Sequence, residues 1–388
     1  MTVKENLPMT KKSQVLAVLN RQTPDHIVFS PNLWQWFAHN RNHGLLPAEL
    51  AGCQNQLDVI RHLDANVCSR NVYCDERRGW FGGLADITHG DLGVDIREHA
   101  EGNDLVIEKS YRTRQGTLTE RLRYVHAEST LVQEKFLIDD YASQLAAMAE
   151  LVHSRRWRFV PERFTTAQAT VDDRGCVVAG ELCSPLKMLH LMLGPQDTTF
   201  LLLDHPEQAA EMLRGHEEAQ LDLVDQMARA GVKVMMAMDN LDTAFHPPAY
   251  VEQYSASFYE KAARRCQASG SRFFIHACGH QRDNLALIAG LGVDGLEGVS
   301  YPPFGDVELD EAMRLSGDRL IINGGISPIE YDRLKTRAEV FAHVRELFGK
   351  LRPYAHRLIF SASCNTPYTA SWEMIRHFRD AWQEYGSL

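Results

Sequence analysis

The sequence contains no uninterrupted apolar run of about 18 residues, the length that a membrane-spanning helix needs. It also lacks a clustered basic segment of the kind that binds phosphate, and its formal net charge is −10. The first residues, 1–6, are polar and lack the apolar core of a signal peptide. We therefore expect a soluble, cytoplasmic protein that binds neither a membrane nor nucleic acid.

The chain also lacks the short-period cysteine framework of small secreted domains, although it has eight cysteines in 388 residues. In a long cytoplasmic chain, cysteines are either buried packing residues or ligands and catalytic groups. The packing or surface role is expected for Cys53, Cys68, Cys74, Cys176, Cys183 and Cys266. Internal repeats are absent, and a composition of 44% hydrophobic and 24% charged residues is that of a globular protein.

Short apolar segments alternate with helical segments along most of the chain. The predicted strands are 26–30, 66–73, 176–181, 232–238, 272–275, 292–298, 319–325 and 356–361. The clearest predicted helices are 141–154, 206–230, 250–267 and 339–350. Eight strands alternating with helices predict a (β/α)₈ barrel, a fold that runs from about 200 to more than 400 residues as one unit. We expect residues 1–388 to form this single domain.

Residues 75–135 interrupt the alternation. Glycine is frequent there, and the alternating segments 105–112 and 117–125 flank the turn 113–116. This pattern predicts a β-hairpin within an insertion that lies near the barrel mouth. Aromatic residues could line an apolar pocket at the same mouth, although plain packing is the more common role of such residues. They are Trp34, Trp36, Phe37, Trp80, Phe81 and Phe304.

One predicted strand ends in a pair of metal-binding residue types, His276 and Cys278. Residues two apart on a strand point to the same face, so this imidazole and this thiol could converge on one ion. Cys364 follows the apolar segment 358–360 and also lies just past the end of a strand. Two N/S ligands from one strand and a third from another are typical of a catalytic zinc, which keeps a position open for substrate. His276, Cys278 and Cys364 are therefore the candidate Zn²⁺ ligands.

Other polar residues end predicted strands at the same edge, where (β/α)₈ enzymes carry their chemistry. Glu297 follows the His-x-Cys strand by one strand, and its carboxylate could fill the fourth zinc position until substrate arrives. Asp239 is expected to accept the second ring N–H of His276 and so fix its tautomer. Asp239 and Glu297 are the candidate catalytic residues. For Glu181 and Asn323 a structural role is the favoured interpretation.

Several motifs together resemble the uroporphyrinogen decarboxylase superfamily, and within it the zinc-dependent corrinoid methyltransferases. They are His276-Ala-Cys278-Gly279, Gly292-Val-Asp-Gly295, Asn323-Gly-Gly-Ile-Ser-Pro328, and Cys364 before the C-terminal helix. The resemblance covers most of residues 140–385. It implies a (β/α)₈ barrel, zinc held by His276, Cys278 and Cys364, and a corrinoid (cobalamin) cofactor carried by a partner protein.

The chain departs from the decarboxylases after its first strand. Those enzymes resemble one another in an arginine-rich segment that holds the porphyrinogen carboxylates, whereas residues 28–40 contain no arginine. We therefore expect that porphyrinogens are not substrates. The resemblance implies instead a methyltransferase that moves a methyl group between a corrinoid protein and a small molecule, either an aryl methyl ether or a thiol.

Two other functions stay open on the sequence alone. One is a metal-free lyase of the decarboxylase kind, with Asp239 or Glu181 handling the proton. The other is a binding protein whose zinc is structural, and an exchangeable fourth zinc position would separate the methyltransferase from it. The aromatic mouth favours the ether, and hence O-demethylation, over the thiol. A homodimer is one option for the assembly.

Overall fold

The computed structural model describes residues 8–75, 77–79 and 82–388. The strands in these ranges are β1 (Val28–Phe29), β2 (Val67–Ser69), β3 (Ala85–Thr88), β4 (Gly93–Glu101), β5 (Asp104–Thr113), β6 (Gly116–Val125), β7 (Thr130–Lys135), β8 (Arg156–Phe159), β9 (Gly175–Leu182), β10 (Val234–Ala237), β11 (Arg272–Gly279), β12 (Gly295–Val299), β13 (Ile321–Ile326) and β14 (Leu358–Ala362). The α-helices are α1 (Lys11–Leu19), α2 (Trp34–Asn42), α3 (Gln56–His62), α4 (Tyr141–Ser154), α5 (Pro161–Val171), α6 (Pro185–Leu193), α7 (Pro195–Asp204), α8 (Pro206–Arg229), α9 (Pro248–Tyr254), α10 (Ala256–Ala268), α11 (Leu285–Gly290), α12 (Leu309–Leu315), α13 (Glu330–Arg333), α14 (Arg337–Leu351) and α15 (Trp372–Tyr385).

Eight of these strands run parallel and form a nearly closed barrel in the order β1-β14-β13-β12-β11-β10-β9-β2. They have the continuous apolar composition of strands that are buried on both faces, and Met235, Phe274 and Ile275 are fully buried. A few hydrogen bonds link β1 to β2. The Asn66 N–H donates to the Phe29 carbonyl at 2.8 Å, and the Asn66 side-chain oxygen accepts the Phe29 N–H at 3.1 Å. The predicted (β/α)₈ barrel is confirmed.

The helices surround the barrel, and the predicted segments 141–154, 206–230 and 339–350 are helical, as α4, α8 and α14. The segment 250–267 is an exception, because it forms two helices, α9 and α10, that meet at Ser255. Ser255 leaves helical geometry at φ −128°, which ends the first helix and starts the second. Among the described residues, none of the helices combines the length and the apolar character that crossing a bilayer requires.

The insertion folds into an antiparallel sheet of four strands in the order β4-β5-β6-β7. Its central pair is the predicted hairpin, with Thr113 opposite Gly116 at the turn. One face packs on α4 and α6 in a hydrophobic cluster that includes Tyr111, Leu118 and Met148. Burial of this face gives the sheet a fixed position on the barrel.

Two hydrogen bonds show where this sheet lies. The Asn42 side chain at the end of α2 donates to the Tyr124 hydroxyl at 2.8 Å, and the Gln133 side chain donates to the Leu191 carbonyl of α6 at 3.0 Å. Both helices follow the C-terminal ends of barrel strands, β1 and β9. The predicted position of the insertion near the barrel mouth is therefore confirmed.

Candidate metal centre

The barrel brings the predicted zinc ligands together. The ligand atoms of His276, Cys278 and Cys364 all lie within 4.8 Å of one another. The Cys364 Sγ atom is 3.9 Å from the His276 Nε2 atom. A tetrahedral zinc with Zn–S bonds of about 2.3 Å and Zn–N bonds of about 2.0–2.1 Å would hold two such atoms about 3.6 Å apart. One imidazole and two thiols in this arrangement fit a zinc ion.

A glycine allows the two ligand-bearing segments to approach each other. Gly298 of β12 has φ +106°, and a Cβ there would lie 2.8 Å from the Ser363 carbonyl oxygen and 2.9 Å from that of Ala277. Ser363 and Ala277 are direct neighbours of the ligands. The loop is also held by Asn32, whose side-chain amide donates to the Cys364 carbonyl at 2.6 Å. The position of Cys364 against β11 therefore depends on the absence of a side chain at residue 298.

A carboxylate and a guanidinium fix the orientation of the histidine. The parallel register places His276 opposite Glu297 on β12. The His276 Nδ1 atom lies 2.5 Å from Glu297 Oε2, and Arg70 Nε lies 3.0 Å from the same oxygen. All three residues are buried. Because Nδ1–H donates to the carboxylate, the Nε2 atom is directed to the thiols, which is the arrangement that supports metal-bound histidines in many sites.

This network corrects the predicted contact of Asp239. The expected contact between Asp239 and His276 is wrong, because Glu297 occupies that position. Asp239 instead accepts the Ser184 N–H at 2.8 Å and the hydroxyl hydrogen of Tyr259. Its carboxylate is directed to the start of α6, whereas the register places Glu297 beside the imidazole. Glu297 as the fourth zinc ligand remains a prediction, and its contacts on the far side of the imidazole argue against it.

The electrostatics of the cluster follow from burial and from these contacts. Burial raises the pKa of Glu297, but Arg70 and His276 outweigh it and lower that pKa to about 2. Burial lowers the pKa of His276, but Glu297 outweighs it and raises that pKa to about 9. The hydrogen bond with Cys364 lowers the pKa of Cys278, and the same bond raises the pKa of Cys364. Cys278 is thus the thiol that ionises first, and a thiolate is the form that binds metal.

The three residues form part of the wall of a cavity of about 300 Å³. Its apolar wall is formed by Trp34, Leu191 and Met238. This volume is at the lower end of the range of about 300–1,000 Å³ that is usual for small-molecule sites. The cavity therefore suits a small substrate.

The aromatic residues predicted for the mouth have different positions. Trp34 lines the cavity beside the cysteines, and Phe37 lines a neighbouring cavity of about 220 Å³. Trp36 is a core residue, since it is buried and its indole N–H donates to the Ala370 carbonyl at 2.8 Å. Phe304 is 52% exposed on the loop after β12. Trp80 and Phe81 lie outside the described residues.

The two remaining polar rim residues differ in their contacts. Glu181 accepts the Leu84 N–H at 2.8 Å and so attaches the insertion to β9. Asn323 lies opposite Glu297 in the register of β12 and β13, and its buried side-chain oxygen has no hydrogen-bond partner among the described residues. Sequence reasoning missed Arg70, although an arginine at the end of an otherwise apolar strand is a signal that a buried partner carboxylate is present.

Of the cysteines assigned to packing or surface positions, all are buried except Cys74, which is half-buried.

A family model described as uroporphyrinogen decarboxylase (URO-D) matches residues 132–385. The chain belongs to the uroporphyrinogen decarboxylase family. The matched region spans barrel strands β9–β14 and contains all three candidate zinc ligands. The resemblance to this superfamily inferred from the motifs is thus confirmed.

This member of the uroporphyrinogen decarboxylase family is similar to several solved structures. A methyltransferase from Methanosarcina mazei is 14% identical, with a TM-score of 0.60 over 97% of this chain and 99% of that chain. A D-psicose 3-epimerase from Clostridium cellulolyticum H10 is 10% identical, with a TM-score of 0.36 over 58% of this chain and 83% of that chain. No curated protein sequence matches the chain. The first likeness shows a common barrel fold over nearly the whole length of both chains.

Proposed function

We propose that the protein is a zinc-dependent methyltransferase that moves a methyl group between a small molecule and a corrinoid protein. The observation that carries this proposal is the convergence of His276, Cys278 and Cys364 on one wall of a cavity. Structural zinc sites are usually closed by four protein ligands, whereas three ligands beside a cavity leave a position for substrate. Zinc bound there supplies Lewis acidity, which activates a substrate thiol or polarises an ether oxygen.

The protein's own residues hold and orient these groups. Arg70 and Glu297 keep the His276 Nδ1–H bonded, so that Nε2 stays directed to the thiols. Trp34, Leu191 and Met238 present an apolar wall against which an aryl ring can pack, and they exclude water from that side. This wall favours an aryl methyl ether over a small polar thiol.

In the demethylation direction the reaction would be a displacement at the methyl carbon of the ether. The corrinoid of the partner protein would be the second substrate and would accept the methyl group at its reduced cobalt. The carbon–oxygen bond would break with its electron pair left on the oxygen, and a cobalt–carbon bond would form. The oxygen then takes a proton from solvent, and the products are methylcobalamin and a phenol.

The alternative of a metal-free lyase has little support from the described residues. Its expected proton-handling groups were Asp239 and Glu181. Neither is among the residues that line the cavity. Asp239 is held by Ser184 and Tyr259, and Glu181 by the Leu84 N–H. Both carboxylates are thus engaged in structural hydrogen bonds.

The test is to incubate the zinc-loaded protein with cob(I)alamin and aryl methyl ethers, both neutral (methoxybenzene) and carboxylated (3- and 4-methoxybenzoate). The corrinoid spectrum is followed, and the phenol is quantified. We expect methylcobalamin and the matching phenol from at least one ether. The Cys278→Ala variant should give neither. Cys53→Ala is the matched control, because Cys53 is buried but does not line the cavity, and it should keep the activity.

Other outcomes would change the proposal. Transfer from methylcobalamin to a thiol, with no reaction of any ether, would make the protein a thiol methyltransferase. The absence of methyl transfer in both directions, from a protein that holds its zinc, would refute the methyltransferase proposal.

A further inference from the structure

A lysine lines the same cavity as the candidate zinc ligands. Lys187 is the third residue of α6, and Leu191, one turn later on the same face of that helix, also lines the cavity. α6 begins directly after β9, with the Ser184 hydroxyl accepting the Lys187 N–H at 3.2 Å. A cation in the first turn of a helix lies beside the positive end of the helix dipole, which is an unfavourable position. Helix stability alone therefore does not explain a lysine here.

No carboxylate in the described part of the chain balances this charge. Among the described residues, none lies within ion-pair distance of the Lys187 ammonium group, although Lys187 is half-buried. The carboxylates at the barrel mouth are engaged elsewhere: Glu297 with Arg70 and His276, Asp239 with Ser184 and Tyr259, and Glu181 with the insertion.

The histidines near Lys187 do not supply a negative charge either. Burial lowers the pKa of His190 to about 3 and also lowers the pKa of His246, so both imidazoles are neutral at neutral pH. Their neutral state is favoured in part by the charge of Lys187. These two rings therefore do not offset the positive charge of Lys187.

Two basic side chains, Arg70 and Lys187, line the cavity. Arg70 is paired with Glu297 at 3.0 Å, whereas Lys187 has no ion-pair partner among the described residues. A half-buried cation without a partner is most stable when an anion occupies the adjacent space.

We propose that Lys187 binds a carboxylate on the substrate, so that the protein acts on a small aromatic methyl ether that also carries one carboxylate. The aryl ring packs on Trp34, Leu191 and Met238, and the oxygen bearing the methyl group faces the cysteines. Asn365 completes the polar side of the cavity with an amide oxygen that has no hydrogen-bond partner among the described residues. The choice of a methyl ether rests on the proposed function, whereas the carboxylate site rests on Lys187 itself.

The test is a binding measurement that does not depend on methyl transfer. The probes are the demethylated products 3- and 4-hydroxybenzoate, each compared with its uncharged amide, 3- or 4-hydroxybenzamide, by calorimetric titration of the zinc-loaded protein. Because an ion pair in a partly buried site is stronger than a neutral hydrogen bond, at least one acid should bind roughly 10- to 100-fold more tightly than its amide. In Lys187→Gln this preference should fall to about parity, and in Lys187→Arg it should persist.

A matched control and two further measurements make the result decisive. Lys233 is an exposed lysine just before β10, at the opposite end of the barrel, and Lys233→Gln should leave the preference unchanged. Zinc content and melting temperature show whether Lys187→Gln is folded. Equal binding of acid and amide, binding of neither, or a preference that survives in folded Lys187→Gln would each overturn the inference.

The two proposals fail in distinguishable ways. If methoxybenzene is demethylated as well as the methoxybenzoates, the methyltransferase proposal stands and the carboxylate site does not. If the hydroxybenzoates bind through Lys187 but no ether and no thiol takes part in methyl transfer, the carboxylate site stands and the methyltransferase proposal is refuted.

Discussion

Replacing Glu297 by glutamine tests two roles of its carboxylate. One is the support of His276 in zinc binding, and the other is the compensation of the Arg70 charge. The glutamine oxygen can still accept the His276 Nδ1–H, but the buried Arg70 guanidinium loses the carboxylate that lies 3.0 Å away. A buried charge left without its partner destabilises a protein by about 3–5 kcal/mol. Replacing the carboxylate that supports a metal-bound histidine makes the imidazole less basic, and such changes weaken metal binding by about 10- to 100-fold. We expect both effects in Glu297→Gln, measured by urea unfolding of the zinc-free protein and by competition with a zinc chelator.

A double variant and a control complete the experiment. Arg70→Gln combined with Glu297→Gln removes both charges, so most of the lost stability should return while zinc binding stays weak. Asp294 is a buried carboxylate directly before the first residue of β12, at the end of the barrel opposite the candidate zinc ligands. It forms an ion pair with Arg21 at 3.1 Å. Asp294→Asn should change stability without changing zinc affinity. The reasoning is refuted if Glu297→Gln binds zinc as tightly as the wild type, or if the double variant regains zinc affinity together with stability.

Three further predictions follow from other residues. Gly298→Ala should lower the unfolding free energy by about 1–3 kcal/mol and weaken zinc binding in chelator competition, because a Cβ there collides with the segments that carry the ligands. Burial raises the pKa of Glu181 to about 7, so the native state holds this proton more tightly than the unfolded chain does. The resulting stabilisation is complete below about pH 4.5 and is lost as the pH rises to about 7. In urea unfolding across that range, the unfolding free energy of the wild type should therefore fall by about 3 kcal/mol relative to that of Glu181→Gln. Unfolding free energies that change with pH in parallel in the two proteins would contradict this. Uroporphyrinogen should not be decarboxylated, because residues 28–40 lack the arginines that would hold its carboxylates, and formation of coproporphyrinogen would disprove it.

The candidate zinc ligands could be predicted from the sequence because their positions follow from strand geometry. His276 and Cys278 share a face through the two-residue period of a strand, and Cys364 ends another strand of the same parallel barrel. The partner of His276 could not be predicted in the same way. It depends on which residues of β11 and β12 lie side by side, and that register is set by packing, not by any local pattern. This is why Asp239 was expected where Glu297 lies.

The barrel was predictable because long apolar strands alternate with amphipathic helices, but parts of the periphery were not. β4 is largely exposed, so it lacks the alternation of buried and exposed residues that marks a strand in a sequence. α6 is short and mostly apolar, and such a segment can equally belong to a buried strand. Lys187 lies on this helix, and its place at the cavity follows only from the tertiary structure.

The central claim is that His276, Cys278 and Cys364 hold a catalytic zinc with a position open for substrate. X-ray absorption at the zinc K-edge of the purified protein tests it most directly. We expect two sulfur neighbours at about 2.3 Å, one imidazole nitrogen at about 2.0–2.1 Å and one further light atom that substrate displaces, with one sulfur lost in Cys364→Ala. A zinc shell without sulfur, or an unchanged shell at full occupancy in Cys364→Ala, would contradict the claim.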